Sequence, residues 1–285
     1  MNPDPHKTFE AACGHLKKNN LGIRFSDEKH RCFYPEDGER RFFEIEDESF
    51  WFIHRRNCII EMVKNNPPEG FILDIGGGNG FVTAGLKDAG FDAVLMEPNW
   101  KAVANAYQRG IRQIICSTAN DALLNTDSIP AIGLFDVLEH IQDDKTYLYL
   151  LKELLAINGK LYLTVPAFPF LWSAEDVYAE HFRRYTLRSV CNVLEETGFE
   201  IQYATYLFSY LPLPLFFLKS LPAKLGRTRI YTPEETWNEH RLPAGFRKWL
   251  IDWLHDRELR KIRQQKKISI GTSIMVSAHI TSVLN

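Results

Sequence analysis

Three short stretches hold the residues able to do chemistry. In the first, residues 74–80, Asp74 is followed by Gly76, Gly77, Gly78 and Gly80. A backbone without Cβ atoms turns sharply and lets a ligand come close to its N–H groups. In the second, Asp136, Glu139, His140 and Asp143 stand within eight residues and offer carboxylates and an imidazole to a proton or a cation. In the third, His181 precedes Arg183, Arg184 and Tyr185. Histidine exchanges a proton near neutral pH, and the planar arginine fork matches a carboxylate or phosphate. A hard cation needs several oxygen ligands, and Glu139 with Asp143 supplies only two carboxylates, so no metal is expected there. Cys13, His15, His30 and Cys32 form C-x-H and H-x-C pairs. Zinc pairs are usually separated by two to four residues, so no metal is expected at these four either.

The elements that must position these stretches follow from pattern. Residues 71–73 are apolar on both faces, as in a strand covered on each side. Residues 81–87 read as a helix closed by Gly90, and its N-terminus faces the glycine turn. A second strand, 91–96, ends in Glu97 and leads into Pro98, Asn99 and Trp100. The third, 111–115, runs to Ser117, and the fourth leads into Asp136 and Val137. A helix over 145–156 and a strand over 161–165 come next, then the His181 stretch and a helix closed by Gly198. Strands over 200–206 and near 269–280 complete the series. Strand alternating with helix predicts a mostly parallel, doubly wound sheet with helices on both faces. Ahead of it, residues 1–69 form a polar lead-in that ends in a helix over 50–64, broken by Asn65-Asn66-Pro67-Pro68. Residues 209–268 show no strand pattern and read as helices.

The turn is not the dinucleotide fingerprint G-x-G-x-x-G, because Phe81 stands where the third glycine would lie. The pattern Asp74-x-Gly76-x-Gly78-x-Gly80 resembles the first motif of class I S-adenosylmethionine-dependent methyltransferases. LFDVLEHI, LYLTVPA and EHFRRYT, in this order and spacing, are similar to one large group of them, the type 11/23-like group. The resemblance covers roughly residues 50–208 and the terminal strand. It implies a Rossmann-like methyltransferase: a seven-stranded sheet with an antiparallel last strand, an N-terminal helical cap (1–69) and a helical insertion or lid (209–268). The core is then 70–208 plus 269–285.

The same resemblance implies S-adenosylmethionine as cofactor, bound by Asp74, Gly76, Gly77, Gly78, Gly80, Glu97, Pro98, Asn99, Ser117, Asp136 and Val137. Asp74 would face the amino group, Glu97 the ribose hydroxyls and Ser117 the adenine. It places His181 as general base, with His140 next in line, and brings Arg56 and Asn57 over the cofactor. Arg183, Arg184 and Tyr185 either hold an anionic substrate or anchor their loop to Asp176 or Glu180. No Asn-Pro-Pro-Tyr-like motif ends the fourth strand, which turns the expectation to a small-molecule, lipid or glycan acceptor methylated on oxygen. Two alternatives stay open: a catalytically inactive S-adenosylmethionine-binding regulatory protein, and a nicotinamide-dependent oxidoreductase.

The 285 residues are 45% hydrophobic and 25% charged, ordinary for a globular protein. Thirty-four basic residues against 36 acidic ones leave a net charge of −2, so no nucleic-acid partner is expected. Five scattered cysteines argue for a reducing, cytoplasmic setting, and the N-terminus lacks the apolar core of a signal peptide. Residues 201–218 carry no charge, but Pro212 and Pro214 interrupt them, so no membrane-spanning helix is expected. Peripheral contact with lipid and the oligomeric state are left open. The basic residues over 241–267, Arg241 and Arg247 among them, read as a solvated helix face.

Overall fold

The computed structural model describes residues 8–26, 43–226 and 245–280. Among the described residues nine strands form one sheet: β1 (Lys17–Lys18), β2 (Arg24–Phe25), β3 (Ile72–Ile75), β4 (Ala93–Met96), β5 (Ile114–Cys116), β6 (Ile129–Phe135), β7 (Leu155–Pro166), β8 (Glu200–Leu207) and β9 (Ser273–His279). Their order is β1-β2-β5-β4-β3-β6-β7-β9-β8. Neighbours from β2 through β7 run parallel, while β9 inserts antiparallel between β7 and β8. Every residue of β3, β4, β5 and β6 is buried, which explains why these strands read as unbroken apolar runs.

The expected count of seven strands is corrected to nine. The two extra strands come from the lead-in, where two residues each leave no alternation to read. Lys17 and Lys18 are exposed, and the pair is fixed by β2 registering Arg24 with Ile115 and Phe25 with Cys116. Strand β7 also begins earlier than its pattern indicated, because Leu155 pairs with Ile129 ahead of the irregularity between Ile129 and Ala131.

Helices α1 (Phe9–Cys13), α2 (Phe50–Asn65), α3 (Phe81–Asp88), α4 (Trp100–Gln108), α5 (Asp144–Leu154), α6 (Ala174–Tyr178) and α7 (Leu187–Glu196) surround the sheet. After β8, residues 212–224 form a helical run in which a π turn, Phe216–Ser220, joins α8 (Pro212–Leu215) to α9 (Leu221–Lys224). Helix α10 (Phe246–Arg263) follows, and among the described residues no helix is long and apolar enough to cross a membrane. Arg241 lies outside the described residues, as does the side chain of Arg247.

The second half of α10 is built into the core. Ile262 is fully buried in the main cluster, and Asn65 donates its side-chain amide to the Ile262 carbonyl at 2.8 Å. A buried polar knot fixes the helix to α2 and to the end of β8. Glu258 accepts from the Phe208 and Ser209 amides at 3.0 and 2.6 Å and pairs with His54 Nε2 at 3.0 Å. His54 stacks on His255 with 3.7 Å between ring centroids, and His255 Nε2 lies 2.8 Å from the Tyr210 hydroxyl. Burial alone would raise the Glu258 carboxyl, but the bonds from His54 and Ser209 outweigh it and hold it below its ordinary value.

Burial, then the neighbouring His54, push the His255 imidazole down to about 3. The unfolded chain therefore takes up a proton that folded His255 refuses. Stability should be complete above about pH 6.5 and fall as pH drops toward 3, by about 1.4 kcal/mol per unit for this group. The depressed Glu258 carboxyl adds to the acid loss. Urea denaturation across that range should show the slope, and His255→Gln should flatten it. Glu258→Ala, which strands two amides and His54, should cost about 3–5 kcal/mol.

Candidate active site

The site is assembled where β3, β4, β5 and β6 end together. Register places Ile75 beside Met96, and Met96 beside Ile115, so the segments carrying Gly76, Glu97 and Ser117 emerge side by side. Gly76, Gly78 and Gly80 have φ of 69°, 54° and 75°, the left-handed region that favours glycine. The protein's own packing also demands Gly76 and Gly80. A Cβ on Gly76 would lie 2.7 Å from Val137 Cγ2, and one on Gly80 would lie 2.3 Å from Ile111 Cδ1. Gly77 sits against Leu95 and the Asp74 carboxylate, at 2.5 and 2.7 Å from its would-be Cβ.

Glu97 is buried and ties the turn to the next loop: Oε2 accepts from the Gly78 amide at 3.0 Å and Oε1 from the Asn99 amide at 2.8 Å. Asn99 then caps α4 through its side chain, which follows directly after Pro98. Ser117, fully buried, shares a 2.8 Å hydrogen bond with Ser26 beside β2. Asp74 has no exposed surface. Its Oδ2 accepts from the Thr83 hydroxyl at 2.5 Å, and its Oδ1 has no partner among the described residues. Burial raises this carboxyl to about 6. An orphaned carboxylate oxygen behind a glycine turn, with a second buried carboxylate at the neighbouring strand end, fits a ligand carrying both an ammonium group and a ribose. S-adenosylmethionine is such a ligand.

Asp136 stands at the end of β6 with φ 58°, an uncommon conformation for a residue with a side chain. Arg55 from α2 holds it through a 2.7 Å ion pair, and the Thr164 hydroxyl donates to it at 3.0 Å. Arg55 also donates to Thr164 at 3.2 Å. The family resemblance brings Arg56 and Asn57 of the same helix over the cofactor; the residue of α2 that reaches the strand edge is Arg55. Arg56 lies over the Phe81 ring at 4.3 Å and against Gly85 of α3.

Glu139, His140 and His181 converge, with one ligand-type atom from each lying within 4.8 Å of the others. Asp143 does not join them: it caps α5, accepting from Thr146 N and Oγ1. Glu139 Oε2 and His140 Nδ1 are buried without partners among the described residues. Burial, then Asp136, hold the Glu139 carboxyl well above its ordinary value. Burial, then His181, push His140 down to about 4, so its ring is neutral at physiological pH. The His140 and His181 rings meet edge to face at 4.7 Å.

His181 Nδ1 lies 2.9 Å from Asp176 Oδ1. Asp176 is fully buried and also accepts from Arg184 Nε at 2.7 Å and from the Ser173 amide at 2.8 Å. Burial favours its neutral form, yet these partners outweigh it and lower its pKa. Arg184 further donates to the Ala167 carbonyl at 3.2 Å. Arg183 pairs with Asp144 at 2.7 Å and donates to the Gln142 carbonyl, and the Tyr185 hydroxyl donates to Asp144 at 2.8 Å. All three residues thus fasten the loop that carries His181. Of the four candidate zinc ligands, Cys13 donates to the Phe9 carbonyl, His15 Nε2 lies 3.0 Å from the Ala122 carbonyl, and His30 and Cys32 lie outside the described residues.

Fold and site define a class I methyltransferase that uses S-adenosylmethionine. The chain belongs to the methyltransferase-domain family, whose model matches residues 55–204, more than half of the 285. The fold is similar to a structure from Thermotoga maritima described as a SAM-dependent methyltransferase and possible histamine N-methyltransferase: 16% identity, TM-score 0.52, covering 86% of this chain and 95% of that one. It is also similar to phosphoethanolamine N-methyltransferase 2 of Haemonchus contortus in complex with S-adenosyl-L-methionine. There identity is 17% and the TM-score 0.52, over 88% of this chain and 59% of that one. At these identities the likeness is one of fold. No curated protein matches the sequence.

Asp74 gives a two-sided prediction. Its folded pKa, about 6, lies above the ordinary 3.8, so the unliganded protein should lose stability as pH rises through that interval. Asp74→Asn should remove this slope and stabilise the unliganded protein at pH 7 by about 1–3 kcal/mol. A donor-binding role further requires that the same variant bind S-adenosylhomocysteine more weakly. Denaturation with and without the ligand reads both effects, and equal stabilisation of the two proteins by ligand would exclude that role.

Proposed function

We propose that the enzyme transfers a methyl group to an oxygen of a small-molecule, lipid or glycan acceptor, with His181 as general base. The observation carrying this reading is the Asp176–His181 pair set beside Glu139 and His140 near the sheet's carboxyl edge. When bound, S-adenosylmethionine supplies an electrophilic methyl group. An alcohol acceptor must shed its proton as the new bond forms, which calls for a nearby base. Asp176 accepts a hydrogen bond from the Nδ1–H of His181, which keeps that proton on Nδ1 and leaves Nε2 as the nitrogen that can accept another. Once that proton arrives, the Asp176 carboxylate stabilises the imidazolium, and Arg184 keeps the carboxylate in place. His140, neutral and largely buried, forms an uncharged wall that keeps the base from being solvated.

In the same reading Glu97 accepts from the ribose hydroxyls and Asp74 faces the amino group, with Gly76–Gly80, Pro98, Asn99, Ser117, Asp136 and Val137 around the cofactor. Of residues 209–268, the helical run over 212–224 serves as a cover over the acceptor. The helical run supports this, since Lys219 pairs with Glu175 and Ser220 donates to the Leu171 carbonyl at 2.9 Å, both next to the His181 loop. The buried and half-buried cysteines among the described residues are all free, which supports work in a reducing cytoplasm.

His181→Ala should lower kcat by about 10²–10⁴-fold with little change in S-adenosylhomocysteine affinity. The acid limb of the pH–rate profile should vanish with it. Loss of thermal stability with an unchanged profile would make the histidine structural. Treatment with a chelator should leave turnover intact. Inactivation reversed by added Mn²⁺ would instead show that Glu139, His140 and His181 hold a cation, and the base assignment would fall.

A further inference from the structure

The helical run over 212–224 is inside out. Two of its three polar side chains face the protein: Ser220 is fully buried on the Leu171 carbonyl, and Lys219 reaches Glu175. Three of its large apolar side chains face outward, Leu213, Phe217 and Leu218, exposed by 70%, 60% and 67%, with Leu225 just beyond at 67%. Leu213, Phe217 and Leu221 follow one another at a spacing of four, which puts them on one face. Phe170 continues this ridge from the neighbouring loop, 45% exposed and 6.0 Å from the Phe216 ring. A surface helix of a globular protein shows the opposite arrangement, and a contiguous apolar face of this kind marks an interaction site.

Charge tells what covers it. From Ile201 to Pro233 the sequence contains Lys219, Lys224, Arg227 and Arg229 and no acidic residue. Lys219 is already paired with Glu175, and a second copy of the chain would bring the exposed Lys224 against a like charge. An anionic surface complements it, and apolar side chains flanked by cations are what an interfacial helix presents to lipid. The run is too short to span a bilayer, and among the described residues no helix does so. We propose that the exposed face of residues 212–225 docks on the surface of an anionic lipid bilayer, with Leu213, Phe217 and Leu218 entering the headgroup boundary and Lys224 meeting the headgroups. The ion pair of Lys219 with Glu175, adjacent to Asp176, joins this docking face to the loop of the proposed base.

The inference goes beyond the methyl-transfer reading and can fail independently of it, because it is read without turnover. The full chain is mixed with phosphatidylcholine vesicles with and without phosphatidylglycerol and sedimented. Binding should require the anionic lipid and weaken with salt. The double variant Phe217→Ser with Leu218→Ser should bind at least about tenfold less, since each exposed side chain contributes through burial of apolar surface. An unchanged melting temperature and unchanged S-adenosylhomocysteine binding would show that the variant is folded; Leu213→Ser provides a milder replacement if it is not. Sedimentation of both proteins alike, or of neither, overturns the proposal. So does a native oligomer that the double variant dissolves in the absence of lipid, which would assign the face to a second copy.

Discussion

One buried carboxylate organises the loop that carries His181. Asp176 has no exposed surface, yet it is held below its ordinary pKa because a histidine, an arginine and a backbone amide all point at it. Removing any of these leaves a buried charge short of a partner, which is among the costlier defects a fold can carry. The loop therefore has little freedom. Ser173, His181 and Arg184 are placed by the same two oxygens. Tyr185 and Arg183 then dock on Asp144. The residues most suggestive of substrate binding in the sequence are in this way the ones that make His181 a positioned group.

Strain collects along the same edge. Strands β6, β7 and β8 run in one direction, and each is followed within two residues by a non-glycine residue with positive φ: Asp136 at 58°, Phe168 at 60° and Phe208 at 57°. Such conformations cost of order 1–3 kcal/mol each and persist only where surrounding contacts fix them. The contacts are evident in each case. Arg55 and Thr164 hold Asp136, the Phe168 amide donates to the Tyr185 carbonyl, and the Phe208 amide donates to Glu258. Long-range polar pairs thus bend the chain where an open α/β sheet receives its ligands.

What the sequence revealed and what it hid divide along physical lines. The glycine turn and the buried strands are legible because each imposes a local pattern, whereas the antiparallel placement of the last strand came from the family resemblance alone. Strands β1 and β2 are not legible, since two-residue strands exist only through their neighbours. Arg55 and Arg56 are adjacent and chemically alike; only the helix phase, set by packing of α2, sends one to Asp136 and the other to Phe81. The Glu139, His140 and His181 cluster joins residues about forty positions apart in sequence, and Asp143, which seemed its nearer member, serves as a helix cap instead. The glycines were legible as a ligand turn, but part of their cause is ordinary packing against Val137, Leu95 and Ile111.

The central claim is that Asp176 fixes His181 with its Nδ1 protonated and its Nε2 basic. Nitrogen-15 NMR of histidine-labelled protein observes this without an acceptor and without turnover. The account predicts that the neutral His181 ring in the folded protein is the Nδ1–H tautomer, and that Asp176→Asn disturbs this while His279 and the other histidines remote from His181, His54 and His255 among them, keep their shifts. A His181 ring found as the Nε2–H tautomer, or one whose shifts ignore the Asp176 substitution, would contradict it.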